Sequence, residues 1–332
     1  MRIVEPSDPA FDQLWADLLG NHVNPTAMIS ESHFEFRKLY LGDRLAGRFR
    51  VVVENAGKAV CGSCLDLIDG VLDAVAVPSA AIVTKDVPNA ALEALRDWIA
   101  ARANPLRFVD QMVMGLSDLS LWALGKGAKV EPQFMQVIDL TQDEAALWTD
   151  MGKSCKTRTN WGLKNLQVEV SRDRAAFDAL RRLHLLAAGG STRSDATWDI
   201  QWRMVENDEA FLTTSAMNGE IVSASLFQLS RNDCYYGVSA GDRALFKKPI
   251  GHAPLWKAIC HAKERGRLRF WTGHQVWEPS ASHKEATIAE FKRSFGGKTV
   301  AECIVDLPFV TAMPGTPAAA QSDAVQNVRA LA

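Results

Sequence analysis

The chain has 332 residues, 47% hydrophobic and 23% charged, with 37 Lys/Arg against 39 Asp/Glu for a net charge of −2. These are globular fractions, and no run approaches the ~20 uninterrupted apolar residues of a membrane span. Six cysteines without a regular framework fit a reducing compartment, and Met1 to Pro6 lacks the apolar core of a secretion signal, so a cytoplasmic location is expected. The length suits two domains.

Charge is unevenly placed. Residues 151–300 hold 23 Lys/Arg and 15 Asp/Glu, a net of +8, and the remainder holds 14 and 24, a net of −10. A basic stretch of this size suits a polyanionic ligand such as a CoA diphosphate, a nucleotide-sugar or tRNA; scattered surface charge is the plainer reading. Cys61 and Cys64 form the one close cysteine pair, inside an alternating run that reads as a strand of small buried residues, so no metal site is expected.

In chain order, Asp8 and Pro9 open a helix to Leu19 whose apolar face is Phe11, Leu14, Trp15 and Leu18. Residues 20–30 read as a loop. Strand-like runs follow near 48–54, 58–67 and 71–77, the first two joined by Asn55-Ala56-Gly57. Asn89 precedes a helix with Leu92, Leu95 and Ile99 on one side, stopped near Pro105. Strands are expected over 106–114 and 134–140, with a helix at Ser117–Leu124 between them, ended by Gly125 and Gly127.

Thr141 to Glu144 reads as a capping box for a helix through Met151. The basic segment Lys153–Lys164, a strand at 168–170 and a helix over 172–188 come next. Asn218-Gly219 is the strongest turn signal, joining strands 211–217 and 220–229. A strand at Cys234–Ala240, a helix at Pro249–Arg265 and a strand at 267–272 follow. Ser282 to Glu285 is a second capping box, opening a helix with Ile288, Phe291 and Phe295; residues 300–307 close the pattern.

The expected architecture is α+β: two domains over 1–140 and 141–312, each a mixed, mostly antiparallel sheet flanked by helices, then a flexible tail over 313–332. The second domain is expected to carry the active site.

Several pieces carry a family resemblance: the strand end Ile138-Asp139-Leu140 leading to Trp148, then Lys153, Lys156, Arg158 and Asn160. Asn218 to Ala224, Tyr235-Tyr236, Gly251 and the run Phe291-Lys292-Arg293-Ser294-Phe295-Gly296-Gly297 follow. In this order they resemble the FemAB-like branch of the acyl-CoA N-acyltransferase (GNAT) superfamily, which includes the peptidoglycan cross-bridge aminoacyltransferases. The match spans roughly 130–305 and, more faintly, the first 130 residues. It implies tandem GNAT folds and transfer of an acyl or aminoacyl group to an amine by direct attack, with the Phe291-Lys292 pair at the reacting centre. A fixed cation there would stabilise the carbonyl oxygen as it gains negative charge; the plainer reading of Lys292 is a surface lysine after a buried phenylalanine.

The resemblance places donor binding at Lys247, Lys248, Gly251 and His252, where the superfamily's Arg/Gln-x-x-Gly-x-Gly/Ala signature would hold CoA diphosphate at a helix start. Here the signature is incomplete and Pro249 removes an amide. The expected donor is an acyl-CoA thioester used as co-substrate, with no tightly bound cofactor. Charged tRNA is the alternative, and a non-catalytic binding protein on the same fold a third reading.

Lys153 and Arg158 in the basic segment, and Arg193 in the Gly189–Ser194 loop with its forked guanidinium, are candidate ligands for acceptor phosphates or carboxylates. Tyr235 and Tyr236 alternate, so one should face the core and the other, with Trp271, a substrate groove. Where many family members carry an Asp before the strand-end glycine, this chain has Trp271-Thr272. His274, Glu278 and His283 are candidate bases, with His274 the choice for the catalytic set alongside Tyr236. The expected acceptor is an amine of a small molecule or cell-envelope glycan precursor, and no DNA partner is expected.

Overall fold

The computed structural model describes residues 1–74, 80–112, 115–277 and 282–308. Its elements begin with strand β1 (Arg2–Val4), helices α1 (Phe11–Asn21) and α2 (Glu31–Leu41), and strands β2 (Leu45–Asn55), β3 (Lys58–Ile68), β4 (Val71–Ala74) and β5 (Ile82–Val83). Helix α3 (Asn89–Ala100), β6 (Leu106–Asp110), α4 (Asp118–Gly125) and β7 (Lys129–Asp139) follow. Then come α5 (Glu144–Asp150), α6 (Lys153–Asn165), β8 (Gln167–Ser171), α7 (Arg174–Ala188), α8 (Asp195–Glu206), and strands β9 (Ala210–Met217), β10 (Glu220–Leu229) and β11 (Asp233–Gly241). The last are α9 (His252–Glu264), β12 (Arg269–Gln275), α10 (His283–Arg293) and β13 (Lys298–Leu307).

Two compact units result. Met1–Val23, Arg44–Pro132 and the chain from Cys303 form the first; Asn24–Asp43 and Gln133–Glu302 form the second. These are not the contiguous halves 1–140 and 141–312: α2 belongs to the later unit, and the division runs through β7 and β13. The tail expected over 313–332 lies outside the described residues.

In the first unit the strand order is β1-β2-β3-β4-β6 and then residues 303–307 of β13, with β5 on β3. All pairs are antiparallel except β4–β6, which runs parallel from Leu72/Leu106 to Ala74/Phe108 with α3 as the crossover. The apolar faces of α3 and of the sheet meet in one core that includes Leu65, Leu72, Leu95, Ile99 and Phe108. Cys61 and Cys64 are buried on β3, as their small size allows.

In the second unit the order is β7-β12-β11-β10-β9-β8, again antiparallel except for β11–β12, with α9 as the crossover. Period-2 alternation assigns the faces. On β9, Phe211 points into a core with α5, α6 and α9, whereas Ala210 and Leu212 point into another with α7 and α8. Helix α6 crosses α9 so closely that a Cβ at Gly162 would stand 2.6 Å from the Ala253 methyl; only glycine permits that approach.

Two expectations need correcting. Thr141 does not cap α5: Asp143 does, its Oδ1 accepting from the Ala146 N–H at 2.7 Å, while the Thr141 hydroxyl donates to Asp139. Helix α2 lies in a stretch where no element was expected. It packs on α8, with an Arg203–Glu35 ion pair at 3.2 Å.

Candidate active site

The site is built where two parallel strands part. Strands β11 and β12 pair only over Asp233–Tyr235 and Arg269–Trp271, yet they run on to Gly241 and Gln275. Beyond the last pair each strand breaks register with its other neighbour. The β10–β11 ladder shifts at Gly237, and the β7–β12 ladder shifts at Thr272. Bulges at these points bend the two strands locally, so their backbones diverge from Tyr236 and Thr272 onward.

Lys292, on α10, reaches this fork. It is only 6% exposed. Its amine lies over Gly273, where a Cβ would come 2.5 Å from Nζ and 3.2 Å from Cε; the glycine's φ of +114° also disfavours any side chain. Among the described residues the amine has neither a hydrogen-bond nor an ion-pair partner, and burial alone lowers its pKa from 10.5 to about 8. A buried cation with no counter-charge among the described residues is costly to stability and well suited to a charge that appears during a reaction.

The turn after Lys292 explains its double glycine. A Cβ at Gly296 would meet the Asp150 carboxylate at 2.6 Å, and one at Gly297 would meet the Val137 carbonyl at 2.2 Å, with both residues at positive φ. Phe291, the preceding residue, packs against the start of α9. Its ring stands edge-on to His252 at 5.0 Å and to Phe295 at 5.2 Å, and approaches Gly251. Burial, and then the Arg158 charge, drive the His252 pKa down to about 4, so it is neutral near pH 7; no partner meets its Nδ1 among the described residues.

The start of α9 offers few amides to an anion. Pro249 and Pro254 have no N–H, the His252 N–H faces the Pro249 carbonyl, and Ala253 is sealed under Gly162. The preceding loop is pinned by the Ser215 and Ser223 hydroxyls, which both donate to the Ile250 carbonyl, at 3.1 and 3.2 Å. Lys247 and Lys248 are exposed there, with the Lys248 amine 3.7 Å from Met217 Sδ. Lys153 and Arg158 are exposed on α6; the Arg158 charge acts on His252.

The remaining candidates divide between the faces of the sheet. Tyr236 is half-buried on the α9 side, stacked on Phe227 at 5.3 Å; burial raises its pKa against the opposing pull of Ser239 and Ser225. Tyr235 and Trp271 stack on each other at 5.7 Å in a separate cluster with Ala27. Both are buried, so Trp271 does not line an open groove. Arg193 lies with α7 and α8, stacked 3.5 Å over Trp198 and donating to Gln201 at 2.8 Å. Burial lowers its pKa to about 10, and its Nε has no partner among the described residues. It is not brought together with Lys292.

His274 is exposed on β12 beside Gly273. Glu278 and the His283 side chain lie outside the described residues. Sequence reasoning passed over Gln136 and the role of Gly273. The signal for Gln136 was a lone polar side chain in the apolar run Val137, Ile138, Leu140.

No model of a known protein family matches the chain, and no curated protein is similar to it in sequence. Solved structures are similar in fold. FemX superposes with a TM-score of 0.70 at 14% identity, over 92% of this chain and 97% of that one. L-PGS from Bacillus licheniformis gives 0.59 at 14% identity, over 93% and 94%. A tandem GNAT protein from the clavulanic acid biosynthesis pathway gives 0.52 at 13%, over 92% and 97%. Each unit here also carries the parallel β–α–β pair inside a mostly antiparallel sheet. The chain therefore has the FemAB-like fold of tandem GNAT-type domains.

Proposed function

We propose that this protein transfers an acyl or aminoacyl group from an activated ester or thioester to an amine, with Lys292 as the catalytic cation. The observation that carries this is the buried Lys292 amine over Gly273, at the fork of β11 and β12, without a partner among the described residues. The acceptor nitrogen attacks the donor carbonyl and the new C–N bond forms. The carbonyl oxygen takes the negative charge, which the Lys292 ammonium meets in a site of low dielectric. As the C–O or C–S bond breaks, the leaving group departs with the electron pair, and the proton lost by the amine balances it. Phe291 keeps water from one side.

What favours an aminoacyl ester, as on charged tRNA, over an acyl-CoA is the α9 start: two prolines and a sealed alanine leave little for a diphosphate. FemX and L-PGS as fold neighbours support an acceptor among cell-envelope precursors. The test is product formation by purified protein from acyl-CoA and from charged tRNA, with amine-bearing envelope precursors, against Lys292→Ala. Transfer from charged tRNA that vanishes in the variant supports the reading. Transfer from acyl-CoA alone replaces the donor, and transfer unchanged in Lys292→Ala overturns the role of the lysine. No transfer from either donor supports a non-catalytic binding protein.

A further inference from the structure

Gln136 lies on β7 directly opposite Gly273 in the β7–β12 register and is 2% exposed. Its side-chain amide and its main-chain carbonyl engage groups on the lysine's strand and turn and on β13. Its Nε2 donates to the Gly296 carbonyl at 2.7 Å, and its Oε1 accepts from the Thr299 hydroxyl at 2.7 Å. Its own carbonyl accepts from the Thr272 hydroxyl at 3.3 Å. One residue thus joins the strand that seats the amine to the turn that ends its helix.

Further ties reach the same turn. Asp150 Oδ2 accepts from the Gly297 N–H at 2.6 Å, and the Ser294 carbonyl accepts from the Gly152 N–H at 2.9 Å. Arg293 donates to Gln275 Oε1 on β12 at 3.0 Å. A buried amide is retained at a penalty unless its bonds are all made, and here they converge on the Lys292 seat.

We infer that Gln136 is a positioning residue for the Lys292 amine, holding the Gly273 seat and the Ser294–Gly297 turn at one fixed separation. This rests on the acyl-transfer reading for its catalytic consequence, but not for its geometry. Displacing a reacting group by ~1 Å is enough to lose up to about 10²-fold in rate.

The test is Gln136→Met, of similar volume and without the hydrogen bonds. Lys292 is titrated directly, by pH-dependent competitive acylation of amines with mass-spectrometric readout, and turnover is measured beside it. A freed lysine gains water, so its apparent pKa should rise from about 8 towards the ordinary 10.5. The expected kcat falls about tenfold or more with KM within about twofold. A purely structural role would lower the melting midpoint and leave both the titration and kcat in place, which overturns the inference. If the variant does not fold, Asp150→Ala at the exposed end of α5 removes a second tie and is read the same way. The titration needs no turnover, so an inactive parent protein overturns the acyl-transfer reading while the Lys292 titration still decides the role of Gln136.

Discussion

The two units use one grammar and end it differently. Each has a parallel strand pair bridged by a helix, β4–α3–β6 in the first and β11–α9–β12 in the second. In the first, β6 ends at Asp110, which is buried. Its carboxylate accepts from the Met112 N–H at 3.0 Å, the Ser117 N–H at 2.8 Å and the Ser120 hydroxyl. In the second, the fork meets Lys292, whose amine has no described partner. A buried charge with its bonds made closes a turn and is structural. One left open keeps its field available, and the open site is the one with chemistry to do.

The strongest way to break this comparison is Lys292→Met. Acyl transfer should fall about 10²–10³-fold, the usual loss on removing an oxyanion-stabilising group, with no loss of melting temperature at pH 7. Activity within a few-fold of the parent would leave both forks structural.

Gly273→Ala should cost about 10-fold or more in kcat, because the new methyl occupies the position of the amine. A crystal structure of the variant should show Nζ displaced; an unmoved amine would remove Gly273 as its seat.

Asp110→Ala tests the other side. Loss of a carboxylate that holds three donors should lower unfolding free energy by about 2 kcal/mol in urea titrations, with kcat within about twofold in the folded protein. A selective loss of turnover would place chemistry in the first unit as well.

The smallest effect is a pH signature. Lys292 titrates at about 8 in the folded protein against 10.5 as its ordinary value. Between them the unfolded chain holds a proton that the folded chain has released, so this group makes stability rise with pH across that window. The lead of Lys292→Met in melting temperature should therefore shrink from pH 8 to 10.5. Turnover, which needs the cation, should decline above about pH 8. A constant gap would mean the amine is not dry.

Much of the fold was legible because its signals are local. The Asn218-Gly219 hairpin and the Ser282–Glu285 capping box stand as the sequence reads. Helix α2 was not legible, because its buried face is His33, Phe34 and Arg37 and thus lacks an apolar stripe. At the site, Phe291-Lys292 was visible as a motif. Gly273 and Gln136 were not, since their importance comes from a register between strands over 130 residues apart in the chain. Faces of a sheet escape composition in the same way: Arg193 looks as good a ligand as Arg158 until alternation puts it with α7 and α8.

The crossing of α6 on α9 has a consequence for how this protein tolerates change. Gly162 rests on the Ala253 methyl with no space for even one carbon more, so the two helices act as a single riveted piece. Deuterium should enter their amides late, and substitutions at 162 should be purged while exposed positions such as Lys153 and Lys164 on the same helix drift freely. A designer wishing to admit a bulkier donor would have to move both helices together, since prising one from the other unseats His252 and Phe291 at once.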